Sequence, residues 1–301
     1  MLNISYIRDG LTEEFHEGIL ISAKPLKKSI PAYQDNVYYL RSCAKPLQAA
    51  LLVDYGIDLT DEELAFCCGS HAGEECHVKI AKQLLNKFNL TERDLKCGIH
   101  SPLSKSMQKK MILNGENASQ IHNNCSGKHI GFLSICRQNN WDLKEYDSPN
   151  HPLQIAVKNK IKELCELSRD YPMTTDGCGV PIMSMPLKNL ATGYINLLKY
   201  PKIVNAIKNN PYIFGGEDRT DTEIIQKTEN LIAKVGAGGL CTVLNFKEEN
   251  SFVLKINDAS TEARRFALLH IINYLGWGNI EFDNSIKTIS GKIVGHINVK
   301  F

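Results

Sequence analysis

Two short segments decide the fold class: Leu240-Cys241-Thr242-Val243-Leu244-Asn245-Phe246 and, after a polar loop from Lys247 to Ser251, Phe252-Val253-Leu254-Lys255-Ile256. Both are apolar and rich in β-branched or aromatic residues, so they read as two strands joined by that loop. Thr261 to Leu275 follows, mostly apolar from Phe266 onward and long enough for a helix. A final strand is expected near Ile293 to Val299.

Working outward from there, the N-terminus carries a matching signal. Ile4 and Tyr6, then Gly18 to Ile21, flank a turn at Asp9-Gly10, which predicts a β-hairpin. A short extended piece follows at Val37 to Leu40. The intervening chain is mostly helical in pattern. A helix is expected from Cys43 to Tyr55, stopping at Gly56, and Thr60-Asp61-Glu62-Glu63 is a capping box that opens another. Val78, Ala81, Leu84, Leu85 and Phe88 have helical spacing within Glu74 to Phe88. Further helices are expected at 91–95, 127–137, 152–167, 203–209 and 222–233. Strands at both ends with helices between them predict an α+β fold: an antiparallel sheet from the terminal strands, with a helical insertion, residues 1–301 forming one domain.

Composition narrows the functional classes. The 301 residues are 43% hydrophobic and carry a formal net charge of +2, with lysines scattered rather than gathered in a stripe. That balance gives no reason to expect nucleic-acid or membrane partners. No secretory signal or membrane-length apolar run is visible, so a cytoplasmic protein is expected. The ten cysteines lack the spacing of a disulfide scaffold and are expected to be free thiols. Cys136, Cys165 and Cys241 fall on apolar faces and read as core.

Five motifs could carry chemistry. In Arg41-Ser42-Cys43-Ala44-Lys45-Pro46, proline is tolerated only in a first helical turn, which sets Lys45 one turn from Ser42 on the same face. The positive helix N-terminus favours a neutral amine, and a neutral amine beside a hydroxyl can take its proton. The same letters also describe a helix cap followed by a solvated lysine. Cys68-Gly69-Ser70-His71-Ala72-Gly73-Glu74 combines small and polar residues where backbone approaches something closely, or simply ends one helix and begins the next. Three cysteines and two histidines between Cys67 and His77 match no zinc-finger spacing.

Asn123-Asn124-Cys125-Ser126-Gly127-Lys128-His129 resembles half of a phosphate loop but fails it, because His122 stands where a glycine is needed and His129 where Ser or Thr is needed. A cysteine at a helix start with a lysine one turn on is instead biased towards thiolate. Thr174-Thr175-Asp176-Gly177-Cys178-Gly179-Val180-Pro181 reads as a rigid loop presenting an acid and a thiol, or as a bare turn. Lys234-Val235-Gly236-Ala237-Gly238-Gly239 lets a ligand approach backbone beside an amine, or is a flexible glycine loop.

In this order the five motifs resemble the rhizobial-type L-asparaginase II family over nearly the whole chain. The resemblance implies a fold like that of serine β-lactamases and glutaminases, and hydrolysis of L-asparagine to L-aspartate and ammonia. It implies Ser42 as nucleophile, Lys45 as its base, and Ser70 with Lys234 as a second serine–lysine couple. It further implies a zinc ion on Cys125, Lys128 and Cys178, substrate contacts from Asp176, Arg41 and His71, and a homodimer. Asp176 could alternatively orient a zinc ligand. Two departures stand out: Gly238 occupies a place where an acid is expected, and the chain is short between Cys178 and Lys234. A glutaminase or other serine amidohydrolase, and a non-catalytic zinc or thiol protein, are the competing readings.

Overall fold

The computed structural model describes every residue except Ser29 and Ala32. Its strands run Leu2–Arg8 (β1), Leu11–Ser22 (β2), Val37–Tyr39 (β3), Met173–Thr175 (β4), Pro181–Pro186 (β5), Leu231–Val235 (β6), Leu240–Asn245 (β7), Asn250–Ile256 (β8), Ser285–Lys287 (β9) and Ile293–Lys300 (β10). Seven of them form one antiparallel sheet in the order β6-β7-β8-β2-β1-β10-β9. The two chain ends therefore meet inside the sheet, where β1 pairs with β10, one strand in from the β9 edge. This is the α+β arrangement expected from strands at both termini.

One end of the sheet, β6 to β8, is buried on both faces, whereas β1 alternates and β2, β9 and β10 are partly exposed. All of the residues in β6 and β7 are buried, which explains why they read as continuous apolar runs rather than as alternation. On one face lies the helix Thr261–Leu275, capped by Ser260 accepting the Ala263 N–H and ended by Gly276 at φ 70°. On the other lies the helix Leu187–Asn196, in contact with β2, β7 and β8. Burying each large aliphatic or phenyl group contributes about 1.5–3 kcal/mol, so the core clusters on the two sides carry much of the stabilisation. The helical segments between β2 and β6 pack beyond the Leu187–Asn196 face, and β5 is the central strand of a small sheet in the order β3-β5-β4.

Several expectations are corrected. The helix predicted at 222–233 covers only Thr220–Lys227, and Leu231–Val235 is strand β6. The Thr228 hydroxyl donates to the Ile224 carbonyl at 2.7 Å as the helix ends, and five buried residues then pair with β7. Lys234 thus sits inside a strand, opposite Thr242, rather than in a loop before one. The segment at Ser42 begins as a 3-10 turn, Arg41–Ala44, followed by Lys45–Gln48 and Ala50–Asp54. The Thr60 capping box is formed on both sides, Glu63 N–H to Thr60 Oγ1 and Thr60 N–H to Glu63 Oε2. Helix Lys105–Asn114, helix Leu187–Asn196 and strands β4, β5 and β9 have no counterpart in the sequence reading.

Candidate active site

Three distant chain segments converge on the Ser70 hydroxyl. The helix Asp61–Cys68 ends at Gly69, whose missing side chain is required: a Cβ there would lie 2.3 Å from the Phe214 carbonyl oxygen. Ser70 N–H then donates to that carbonyl at 3.1 Å, fixing the backbone. Lys45 reaches in from the turn after Ser42, its Nζ donating to Ser70 Oγ at 2.8 Å and to the Asn124 carbonyl at 3.0 Å. Lys234 reaches in from β6, its Nζ donating to Ser70 Oγ at 2.9 Å and to the Val235 carbonyl at 2.8 Å. Lys45 and Ser70 are each 2% exposed and Lys234 is wholly buried. The reading of Lys45 as a solvated surface lysine is therefore ruled out.

The Ser42 turn is tied to the same centre through its neighbour. Cys43 S–H donates to the Lys234 carbonyl at 3.2 Å, and Tyr194 O–H donates to the Cys43 carbonyl at 2.8 Å. Gly236 allows the close approach, because a Cβ would sit 3.0 Å from Cys43 Sγ. Ser42 itself is half-buried. The expected pairing of Ser42 with Lys45 is not made as a hydrogen bond: the Lys45 amine bonds Ser70 instead. Arg41 adopts φ 47°, a left-handed conformation that side chains rarely take, immediately beside this serine.

Electrostatics distinguish the two amines' surroundings. Burial is the main influence on Lys234 and lowers it to about 8; Asp221 opposes this, and the Lys45 charge adds to the lowering. Asp221 is itself wholly buried, with Oδ2 3.6 Å from Lys234 Nζ and accepting the Val235 N–H at 3.3 Å. Sequence reasoning missed Asp221. Its local context, an acid in the first turn of the helix Thr220–Lys227, gives an ordinary reason for its presence.

A second cluster adjoins the first. Asn123 Oδ1 accepts the Cys125 N–H at 2.9 Å and sets the start of the helix Ser126–Gln138. Gly127 lets that helix press against Asp61–Cys68, since a Cβ would lie 2.4 Å from the Phe66 carbonyl oxygen. One turn on, Lys128 Nζ donates to Cys178 Sγ at 2.9 Å. Cys125 is pulled well below the usual thiol range, first by a hydrogen bond from Cys178 and, against burial, by Lys45 and Lys128. Cys178 is pushed up in turn, first by its partnership with Cys125 and then by burial. Burial disfavours the Lys128 charge, but the Cys178 and Cys125 sulfurs outweigh it and raise the amine. Two sulfurs and one amine meet here, all buried; thiolates suit zinc, and the Lys128 amine could join them as a ligand only after losing the proton that the sulfurs help it keep.

Asp176 borders that cluster. Its Oδ1 accepts Arg41 Nε at 2.7 Å, and Cys178 S–H reaches Oδ2 at 3.9 Å. Burial opposes its ionisation, but Lys128, the Gly177 N–H and Arg41 hold the carboxyl below its usual range. His71 is wholly buried, stacked on Phe66 at 4.7 Å, with Nδ1 accepting the Gly73 N–H and Nε2 facing Ser126 Oγ at 2.9 Å. The Gly73 donor leaves Nε2 as the protonated nitrogen, so the imidazole donates to Ser126. His77 is likewise engaged, accepting the Glu74 N–H at Nδ1 and facing the Tyr212 carbonyl with Nε2. Although Glu74, Cys76 and His77 lie close together, that histidine has no free lone pair for a metal.

Gly238 is exposed at φ 71° and Gly239 sits at φ 75° with the Ile256 carbonyl 2.3 Å from where a Cβ would be. The β6–β7 turn thus requires glycine conformations, and Gly238 leaves open space where an acid was expected.

Comparison with known proteins completes the description. The sequence model of the family described as L-asparaginase II matches residues 4–299. No curated protein matches the chain. Among solved structures, a β-lactamase from Mycobacterium bovis is similar, with 13% identity, coverage of 88% of this chain and 89% of that one, and a TM-score of 0.38.

Proposed function

The chain belongs to the L-asparaginase II family of amidohydrolases, and from that premise we propose that it hydrolyses L-asparagine to L-aspartate and ammonia with a serine nucleophile and a lysine base. The observation that carries this reading is the pair of buried amines on one hydroxyl. A hydroxyl offers two lone pairs and one hydrogen. Lys45 and Lys234 both donate to Ser70 Oγ, which leaves the Ser70 hydrogen available to a substrate.

Lys45 has three partners at hand, donating to Ser70 Oγ and the Asn124 carbonyl and hydrogen-bonding Cys125. To act as the base it gives up one proton first, and Ser42 lies three residues before it in sequence. Ser42 is the more accessible of the two hydroxyls, being half-buried where Ser70 is closed off. In the proposed reaction Ser42 Oγ attacks the side-chain amide carbon while Lys45 takes its proton. Lys45 returns that proton to the departing nitrogen, which leaves as ammonia, and the ester on Ser42 remains. Water gives a proton to Lys45 and attacks the ester; the bond to Ser42 Oγ breaks, Lys45 returns the proton to that oxygen, and aspartate leaves. The Ser70 O–H, held by Lys45 and Lys234, donates to the oxyanion that forms in each step.

The substrate head group is a zwitterion, and Arg41 with Asp176 offers one charge of each sign at the half-buried rim. Asp176 would take the α-ammonium and Arg41 the α-carboxylate. A zinc ion on Cys125, Lys128 and Cys178 would supply a fixed positive charge that orients polar groups of the substrate.

A second reading has an observation of its own: Ser70, not Ser42, is the hydroxyl in direct contact with Lys45. The two are separated by assaying ammonia release from asparagine and glutamine in Ser42→Ala and Ser70→Ala, with mass spectrometry for an aspartyl adduct. Ser42→Ala should lower turnover at least about 10³-fold and yield no adduct, whereas Ser70→Ala should still trap one on Ser42. An adduct on Ser70 would transfer the nucleophile role, and turnover of neither amide by the intact protein would end the asparaginase reading.

A further inference from the structure

Asp221 is an acid that neither the motifs nor the proposed chemistry uses, yet it has no exposure and sits beside the centre. A carboxylate in such a place is costly unless paired. Its Oδ2 is partly satisfied by the Val235 N–H at 3.3 Å, while Oδ1 has no hydrogen-bond partner. The Lys234 amine lies 3.6 Å from Oδ2 as its cationic neighbour. Both contacts fall on consecutive residues of β6, so the carboxylate grips the strand by its backbone and its amine together.

We propose that Asp221 is the positioning residue of the Lys234 amine, acting as its counter-ion and holding it on Ser70. This rests on the serine–lysine reading above. Lys234 has three N–H bonds when protonated; Ser70 Oγ and the Val235 carbonyl take two, and Asp221 Oδ2 stands at ion-pair distance, 3.6 Å from Nζ. Without the anion, the amine would stand among Lys45, Arg219, the Phe214 ring at 5.5 Å, and the thiols of Cys43, Cys68 and Cys241. Burial keeps those three thiols protonated by raising each of them. Among the described residues Asp221 is therefore the one anion facing this amine, and the other charged groups facing it are cations. Loss of the carboxylate favours the neutral amine, which then has two hydrogens for its acceptors and no charge with which to polarise Ser70.

The test reads Lys234 directly. Protein carrying ¹³Cε-lysine is titrated by NMR, the Lys234 signal being assigned by its loss in Lys234→Met. In Asp221→Asn the Lys234 midpoint should move at least about one pH unit lower than in the unaltered chain. For the reaction itself, kcat should fall at least about tenfold with KM within about twofold, and Asp221→Glu should restore part of it. An unchanged midpoint in folded Asp221→Asn overturns the proposal. That readout needs no substrate, so it stands even if the protein proves inactive on asparagine. Should Asp221→Asn not fold, the double variant Asp221→Asn/Lys234→Met decides. Recovery of the fold on removing both charges supports the pair, and failure of both variants assigns Asp221 to the Val235 backbone alone.

Discussion

Lys234 and Lys128 are both buried lysines at the centre of the molecule, and their surroundings drive them in opposite directions. Lys234 meets a hydroxyl, two cations and a single carboxylate; burial wins, and the amine falls to about 8. Lys128 meets two sulfurs, which overcome a similar burial and raise it. The difference teaches that desolvation alone does not say what a buried lysine is for. A depressed amine on a serine is suited to moving or steering protons, whereas an amine raised by a thiol pair is held as their counter-ion and must lose its proton before it can join a metal.

The comparison breaks first at the amines themselves. Lys45→Met should reduce ammonia release from asparagine at least about 10³-fold while leaving bound zinc unchanged by elemental analysis. Lys128→Met should do the reverse in metal, with zinc falling well below that of the unaltered protein. Loss of zinc in Lys45→Met, or its retention in Lys128→Met, would merge the two clusters into one. A pH series sharpens the contrast next. As pH rises through about 8, Lys234 loses its proton and its ability to charge the bond to Ser70. Turnover should therefore decline on the alkaline side, about tenfold per pH unit well above the midpoint if the cationic form alone is active. Lys234→Met should lack that limb; the same limb persisting there would assign it to another group. The smallest effect concerns the wall between the clusters. Gly127→Ala places a methyl 2.4 Å from the Phe66 carbonyl, which should cost about 1–3 kcal/mol in denaturant unfolding. No change in midpoint would mean that the helix Ser126–Gln138 can shift without penalty.

Much of this was legible in the sequence where the signal is local. The helix Thr261–Leu275, the Thr60 capping box and the N-terminal hairpin all declare themselves through neighbours a few residues away. The sequence order of the five motifs was enough to bring Ser42, Lys45, Ser70, Cys125, Lys128, Asp176, Cys178 and Lys234 under suspicion. What stayed hidden depends on distant partners. The helix Leu187–Asn196 starts without a local cap because Asp35 supplies one, its carboxylate accepting the Leu187 and Lys188 N–H groups from 152 and 153 residues away. Strand β5 is bracketed by Pro181 and Pro186, residues that argue against a strand when read alone. Asp221 looked like a helix-start acid, and only the arrival of β6 reveals its second neighbour.

The hydrogen bonds on Ser70 span 25 residues on one side and 164 on the other. Closing the longer span requires β6 to join the sheet and the helical segments to dock against it. The bridging arrangement is therefore assembled only in a chain whose distant parts have come together, and turnover that depends on it would serve as a gauge of complete tertiary assembly. A partly folded population could retain abundant helix while contributing nothing to that signal.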